Sequence, residues 1–291
     1  MKIGLIDVDG HNFPNLALMK LSAWHKAKGD SVGWVNYFFD YDTVYKSKVF
    51  TFTEDDEFIV NADKIFNGGT GYKDYTTTLP YEIEYTYPDY ELYHTDNAYG
   101  FLTRGCPNKC SFCVVPQKEG EIREHSDIKD FWFDQKVAIL LDNNVLAHEH
   151  GISQIEKIIK LGIKIDFNQG LDCRIIASDE KIAKLLAKAK WHKPIKMACD
   201  SMAQMEDVKK ATELLRKHGA TPQRYQIFVL VRDIQDALER VEFLRELNLD
   251  PFAQPYIDFN GNKPTKEQKR FARWVNHKAI FKTVEYKDYS P

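Results

Sequence analysis

The chain has 291 residues, of which 43% are hydrophobic, and its formal net charge is -3. This length and apolar content allow one large domain or two moderate ones with a sizeable core, and they exclude a disordered protein. The nearly balanced charge gives no bulk attraction to nucleic acid or to an anionic membrane, so only a local basic patch could bind either. The first residues lack the layout of a signal peptide, and no apolar run approaches the roughly 20 residues of a membrane span. We therefore predict a soluble, cytoplasmic protein with no membrane partner.

An α/β domain is predicted over residues 1–75. The run KIGLIDV is short and apolar and is followed by acidic and glycine residues, as expected of a buried parallel strand. A helix follows, because Pro14 suits a first helical turn and Gly29 suits a C-terminal stop. Further strands are predicted over 31–37, 48–52 and 64–72. This alternation predicts a small, Rossmann-like domain.

Residues 76–96 are rich in tyrosine and proline and are interpreted as a linker. A second alternating series of strands and helices follows over residues 97–258. Its predicted strands lie near residues 98–103, 137–142, 164–168, 195–199, 225–231 and 252–257. The clearest helices are SDEKIAKLLAKAK, with Ser178 as its N-cap, and IQDALERVEFLRELN, with one apolar stripe. Six βα units in a row predict a partial (β/α)6 barrel of the TIM type.

The last segment, residues 259–291, is basic and aromatic, and two interpretations fit that composition. It could be a nucleic-acid surface. Its apolar positions instead suit a short helical extension packed on the barrel, and they are Phe271, Trp274, Val275, Ile280 and Phe281. We favour the packed helix, so nucleic acid is a candidate partner but not the favoured one.

Three of the five cysteines, Cys106, Cys110 and Cys113, lie in one loop, with the spacing Cys-x3-Cys-x2-Cys. An odd number of cysteines concentrated in one loop indicates metal or redox chemistry rather than a secreted disulfide framework. Three thiolates can each hold one iron of a four-iron four-sulfur cluster and leave the fourth iron open. A closed zinc site would need a fourth ligand, and Cys173 and Cys199 are interpreted instead as small buried residues of later strands. The alternatives are a degenerate zinc knuckle and a chance cluster.

The segment RGCPNKCSFC resembles the signature loop of the radical S-adenosylmethionine superfamily, including the aromatic residue before its third cysteine. The resemblance implies that Cys106, Cys110 and Cys113 ligate a [4Fe-4S] cluster, and that Phe112 borders the adenine of S-adenosylmethionine. In that family the open iron binds the cofactor, and one electron splits its sulfonium bond to give a 5′-deoxyadenosyl radical. The radical takes hydrogen from a substrate, which this sequence does not identify. An electron donor such as flavodoxin or ferredoxin is implied.

Polar residues that follow the second, third and fourth strands of the series are candidates for the rest of the S-adenosylmethionine site: Asp142, Asn143, Asn144, Gln169, Asp172, Arg174, Asp200 and Ser201. The first three lie where family members place polar groups near the methionyl amine. Arg174 is suited to the carboxylate, because a guanidinium can bind both of its oxygens. The alternatives are an ordinary strand-to-helix turn and an ordinary salt bridge.

The first domain resembles the cobalamin-binding-like domains of one branch of the superfamily. In KIFNGGTGY, Gly68 and Gly69 are similar to the glycine pair that approaches the nucleotide tail there, although a tight turn would also need glycine. In DGHNFP, Asp9 and His11 match part of a pattern whose histidine is the lower cobalt ligand, but Pro14 stands in place of its glycine. A loop histidine that faces solvent or substrate is the alternative. Cobalamin is therefore a candidate cofactor.

The sequence after the third cysteine also resembles the methylthiotransferases that modify transfer RNA. Those enzymes use three further cysteines in their first domain, and residues 1–105 contain none. We therefore expect a radical S-adenosylmethionine enzyme that does not transfer methylthio groups. The alternatives are a cobalamin-dependent radical methyltransferase and a non-catalytic iron–sulfur protein that senses redox state or binds RNA.

Overall fold

The computed structural model describes all residues except 11–12, 56–57, 221–224, 259–261 and 291. The protein is mixed α/β with parallel sheets, which confirms the α/β part of the predicted fold. The chain divides into two compact units. The first comprises Met1–Gly100, Gln117–Glu119 and Ser126–Lys136, and the second comprises Phe101–Pro116, Gly120–His125 and Val137–Pro291. In the described part of the chain, every helix is too short or too polar to cross a membrane.

The first unit is built around a parallel sheet. The elements up to residue 100 are β1 (Lys2–Asp7), α1 (Leu16–Ala27), β2 (Ser31–Trp34), β3 (Tyr41–Ser47), β4 (Ala62–Gly68), α2 (Tyr81–Glu84) and β5 (Asn97–Gly100). The first four strands pair in parallel in the order β2-β1-β3-β4. Strand β1 is buried inside this sheet, whereas β4 is its exposed edge.

The core of the first unit lies between β1 and α1. Ile3 and Leu5 of the strand pack with Leu18 and Leu21 of the helix. Each such side chain contributes about 1.5–3 kcal/mol when it leaves water. Helix α1 begins at Leu16, just after the predicted start at Pro14, because the Asn15 side chain caps it by accepting a hydrogen bond from the Leu18 N–H at 3.3 Å.

The strand predicted at 48–52 is wrong, because the strand lies earlier, at β3. In the predicted run, Phe50 and Phe52 are exposed and stack on each other. The actual strand, YDTVYKS, carries many polar residues and therefore has a weak apolar signal. It buries Tyr41 and Val44, which contact Ile6 of β1. Pairing with a buried neighbouring strand outweighed the local sequence signal here.

The elements after residue 100 are again a mixture of strands and helices. They are β6 (Thr103–Arg104), α3 (Val115–Lys118), β7 (Arg123–Glu124), β8 (Val137–Leu140), α4 (Glu149–Leu161), β9 (Lys164–Phe167), α5 (Cys173–Ser178), α6 (Glu180–Ala187), β10 (Lys190–Trp191), β11 (Ile195–Ala198), α7 (Met205–Lys217), β12 (Tyr225–Val231), α8 (Ile234–Glu246), β13 (Asp250–Pro255), α9 (Lys266–Asn276) and α10 (Lys278–Thr283). Strands β8, β9 and β10 pair in parallel, and so do β11, β12 and β13. A parallel bridge joins Leu171 to Met197.

The later predicted strands are confirmed, but the first one and one helix cap differ from the prediction. Residues 97–104 form two short strands, β5 and β6, instead of one. The break lies at Leu102, because its N–H donates to the buried carboxylate of Asp142. Helix α6 is capped by Asp179, which accepts from the Lys181 N–H at 2.8 Å. The predicted cap, Ser178, is the last residue of α5.

The C-terminal segment packs on β13 through α9, which is the favoured prediction. Phe271 and Trp274 are fully buried, and Trp274 also contacts Phe281 of α10 edge to face. The Asn276 side chain donates to the carbonyl of Ala253 at 3.0 Å and accepts from its N–H at 2.8 Å. These aromatic side chains are therefore core residues and do not form an exposed surface for stacking on bases.

Candidate functional site

The cysteine loop is closed at its base by a short antiparallel pair of strands, β6 and β7. Thr103 lies opposite Glu124 in this pair. The first cysteine is tied to the same base, because the Cys106 N–H donates to the carbonyl of Gly120 at 3.2 Å. The sequence did not predict this closure, since two-residue strands show no readable period.

Gly105, just before the first cysteine, must be glycine for two reasons. Its φ of 82° is left-handed, and an added Cβ would overlap the carbonyl of Glu121. We expect Gly105→Ala to destabilise the second unit by roughly 2–4 kcal/mol in urea denaturation. Gly120→Ala is the matched control, since Gly120 has a φ of 72° but no atom of the described residues lies within 4 Å of its added Cβ. That variant should lose only about 1 kcal/mol, and equal losses would contradict the overlap.

Cys106, Cys110 and Cys113 are free thiols, and each is half-buried. Burial raises the pKa of Cys110, and the nearby charge of Arg174 opposes that rise. Burial likewise raises the pKa of Cys113, against a hydrogen bond from the Val115 N–H. Neutral thiols become ligands when a metal ion displaces their protons. Within the described residues, no three His, Cys, Asp or Glu side chains stand together as a group that could hold a metal ion.

Asn144 connects the cysteine loop to the predicted polar residues. Its side chain is buried, and its Nδ2 donates to Asp172 Oδ2 at 3.1 Å and to the sulfur of Cys106 at 3.7 Å. Its Oδ1 is buried without a hydrogen-bond partner among the residues that the structure describes. Because an unpaired buried acceptor costs free energy, this oxygen is a position that a donor group of a ligand would satisfy.

Asp172 accepts hydrogen bonds from several side chains. Arg174 donates to both of its carboxylate oxygens, at 2.8 and 2.7 Å. Asn108 of the cysteine loop donates to the same carboxylate at 3.0 Å. Burial alone would raise the pKa of Asp172, but these hydrogen bonds outweigh it and hold the pKa below its ordinary value. Asp172 therefore stays ionised and joins the loop to Arg174.

Asp172→Asn should remove this charge while keeping a similar shape. We expect the variant to lose about 1–2 kcal/mol of stability at neutral pH, a modest value because Arg174 is 42% exposed. Since the folded-state pKa is lowered, this contribution is present above the unfolded pKa of about 3.9 and is lost as pH falls through the folded pKa. Urea denaturation should therefore show wild type and variant converging below about pH 4. A difference that does not change with pH would contradict the charge assignment.

Asp142 holds the backbone that leads into the cysteine loop. Its carboxylate accepts from the Leu102 N–H at 3.1 Å and from the N–H and hydroxyl of Thr103 at 2.6 and 2.7 Å. Burial raises the pKa of Asp142, and these hydrogen bonds oppose the rise. These hydrogen bonds indicate that Asp142 fixes the backbone before the cysteine loop. A direct contact between Asp142 and S-adenosylmethionine stays a prediction.

Asp200 lies within electrostatic reach of the loop, because its charge contributes to the raised pKa of Cys110. Its Oδ1 accepts from the Leu230 N–H at 2.9 Å. Burial raises the pKa of Asp200, and the charges of Arg240 and Arg232 oppose that rise. Asp200 thus follows β11, as predicted, and is also tied to β12.

Three other predicted residues have less defined surroundings. The Ser201 N–H donates to the side-chain oxygen of Gln204 at 3.2 Å, within the turn before α7. Gln169 is exposed after β9, and Asn143 is half-buried after β8. Their roles in binding S-adenosylmethionine remain predictions.

Phe112, the aromatic residue of the cysteine motif, is half-buried and lies under a cation. The guanidinium carbon of Arg232 is 5.3 Å from the centroid of its ring. A contact of this kind contributes about 0.5–1 kcal/mol at an exposed site, so Arg232 helps to fix the ring. Sequence reasoning missed Arg232, although it directly follows a predicted strand and could have been found by the same positional rule. It also missed Asn108, which lies inside the motif.

The glycine pair of the N-terminal domain lies in the first unit. Gly69 has a φ of 101°, and an added Cβ there would overlap the backbone carbonyl of Lys48. Close packing of the chain on itself therefore accounts for this glycine. At Gly68, no atom in the described part of the chain lies within 4 Å of an added Cβ.

Only part of the predicted cobalt-ligand motif lies within the residues that the structure describes. The carboxylate of Asp9 accepts hydrogen bonds from the N–H groups of Val49 and Phe50 and from the hydroxyl of Thr53. These contacts assign Asp9 to closing the 48–53 loop. His11 lies outside the described residues, so its role as a cobalt ligand stays a prediction.

The structure thus joins four of the predicted residues by hydrogen bonds: Cys106, Asn144, Asp172 and Arg174. Comparison with protein-family models finds no match, and comparison with curated proteins finds none that is significantly similar. The interpretation of the site therefore depends on its residues and their contacts.

Proposed function

We propose that this chain is a radical S-adenosylmethionine enzyme whose cysteine loop binds a [4Fe-4S] cluster. The proposal is carried by one observation: Asp172, which follows β9, is hydrogen-bonded to the loop through Asn108 and to Cys106 through Asn144. The carboxyl ends of parallel strands are where α/β barrels carry their chemistry. We also propose that the first domain is Rossmann-like and that it is followed by a partial (β/α)6 barrel and a helical extension.

The cysteine side chains of the loop are the kind of ligand that iron–sulfur clusters use. Thiolates are the usual ligands of such clusters, and Cys106, Cys110 and Cys113 would each bind one iron and leave the fourth iron open. Cys173 and Cys199 are 1% and 0% exposed and belong to the core. Because the three thiols do not stand as a metal-holding group in the described part of the chain, the proposal requires the loop to gather them. When bound, the cluster supplies the electron that cleaves S-adenosylmethionine to a 5′-deoxyadenosyl radical.

The chain's own side chains would orient the cofactor. Arg174 uses two of its side-chain nitrogens on Asp172, which leaves further N–H donors of the guanidinium for a carboxylate. The buried Oδ1 of Asn144 is an acceptor suited to an ammonium group. The ring of Phe112, fixed by Arg232, offers an apolar surface to a nucleobase.

No contact in the described residues favours the cobalamin-dependent alternative, because Asp9 and Gly69 are engaged by the chain itself. An electron donor such as flavodoxin or ferredoxin and a cytoplasmic location remain parts of the proposal. The substrate that would lose hydrogen is not specified by these residues.

Anaerobic reconstitution with iron and sulfide tests the proposal. We expect about four irons and four sulfides per chain, and we expect S-adenosylmethionine to change the electron paramagnetic resonance spectrum of the reduced cluster. The change in the spectrum should persist in Glu156→Gln, which alters an exposed residue of α4 that is not a candidate for the site. A cluster that is insensitive to S-adenosylmethionine would contradict the proposal and favour the non-catalytic iron–sulfur protein.

A further inference from the structure

The first unit contains a cavity of about 540 Å³ at the carboxyl ends of β1 and β2. Its lining includes Asp7 at the end of β1, Trp34 and Tyr37 at and after the end of β2, and residues 92–94. Small-molecule sites typically enclose roughly 300–1,000 Å³. The carboxyl edge of a parallel sheet is also where open α/β folds bind their ligands. The function proposed above does not use this cavity.

One wall of the cavity is aromatic and held in place by the protein. Trp34 and Tyr93 pack edge to face, with 5.1 Å between ring centroids. The hydroxyl of Tyr93 donates to Asp7 Oδ2 at 2.6 Å, which fixes both side chains. Trp34 is 39% exposed and lines the cavity. The wall therefore needs little reordering when a flat molecule binds.

The polar groups of the lining are acidic. Asp7, Glu54 and Asp55 contribute carboxylates, and His94 adds an imidazole ring. Lys46 pairs with Asp55 at 2.7 Å from outside the lining. The lining residues that the structure describes include no lysine or arginine. A cavity with this charge attracts cations and repels phosphates and carboxylates.

We infer that this cavity binds a flat, positively charged heteroaromatic molecule of nucleobase to nucleoside size. The ring of Trp34 would attract the cation through its π face, and the carboxylate of Glu54 would balance the charge and accept N–H donors. An anionic nucleotide does not suit the same walls, because the described part of the lining offers its phosphate no lysine or arginine. The inference concerns the first unit and does not depend on the iron–sulfur cluster.

Isothermal titration calorimetry of the full chain with 7-methylguanosine, a cationic nucleoside, tests the inference. We expect saturable binding with one site per chain. The matched anionic probe is 7-methylguanosine 5′-monophosphate, which carries the same ring, and it should bind at least about tenfold more weakly. Equal affinity for the two probes, or no binding of the nucleoside at millimolar concentration, would overturn the inference.

Variants of the lining residues test whether the nucleoside binds in this cavity. Trp34→Ala should weaken the binding of 7-methylguanosine about tenfold, and Trp34→Phe, which keeps an aromatic wall, should weaken it less. Glu54→Gln should weaken it about fivefold, because it removes one partly screened charge. Glu91→Gln, an exposed residue of the same unit outside the lining, is the control and should change nothing. Circular dichroism checks that each variant is folded, and affinity unchanged in both Trp34→Phe and Glu54→Gln would also overturn the inference.

Discussion

The Cys110→Ala variant should lose the iron–sulfur cluster and, with it, all cleavage of S-adenosylmethionine. The loop offers three thiols, already one fewer than a fully protein-ligated cluster uses, so two would not hold four irons. The first unit should keep its fold, because Cys110 lies in the second unit. Iron and sulfide analysis after anaerobic reconstitution measures the first effect, and chromatography of 5′-deoxyadenosine measures the second.

Cys173→Ala is the matched control for this loss. It also removes one thiol, but that thiol is 1% exposed and lies 3.6 Å from the carbonyl of Ala198. Burial raises its pKa to about 12, so it is a neutral core group at physiological pH. The control should keep a full complement of iron and sulfide and lose only about 1 kcal/mol of stability. If Cys110→Ala retained a full cluster, the ligand assignment would be wrong.

Arg240→Ala should destabilise the second unit by about 3–5 kcal/mol in urea denaturation. The side chain is 1% exposed and donates to the carbonyls of Cys199 at 2.6 Å and Leu230 at 3.0 Å. Its guanidinium also pairs with Asp236 at 2.5 Å. Removing it would leave buried acceptors without donors and would open a cavity. Because these carbonyls flank Asp200 and its partner strand, Arg240 acts on the site as a positioning residue.

Arg216→Ala is the control that separates burial from bond count. Arg216 also donates to two carbonyls, those of Leu247 at 3.1 Å and Asn248 at 3.3 Å, but it is exposed. Water can replace these hydrogen bonds, so we expect a loss below about 1 kcal/mol. Similar losses in Arg216→Ala and Arg240→Ala would show that burial does not set the contribution of Arg240.

The strands of the second unit could be predicted because most of them are short apolar runs bounded by polar residues. The predicted strand at 225–231 coincides with β12, and the predicted strand at 195–199 exceeds β11 by one residue. Asp172 and Asn144 could be chosen as candidates because they follow such strands, where a parallel sheet gathers polar groups. That rule needs only the positions of the strand ends, so it can be applied to a sequence before any side-chain contact is known.

Other features depend on contacts between distant segments, which no local pattern shows. Strand β3 is polar in sequence and is a strand because it pairs with β1 and β4. Asp142 ends a predicted strand, yet its carboxylate accepts hydrogen bonds from backbone groups some 40 residues earlier in the chain. The acidic cavity joins Trp34 to Tyr93 across two unrelated stretches of sequence. Its chemistry could therefore be recognised only in the folded chain.

The formation of 5′-deoxyadenosine tests the proposed chemistry most directly. The reconstituted chain, reduced with dithionite and given S-adenosylmethionine together with pools of candidate substrates as hydrogen donors, should release methionine and 5′-deoxyadenosine in equal amounts. The same assay on Cys110→Ala should release neither. A wild-type chain that holds a complete, reduced [4Fe-4S] cluster and leaves S-adenosylmethionine intact would contradict the assignment of this chain as a radical enzyme.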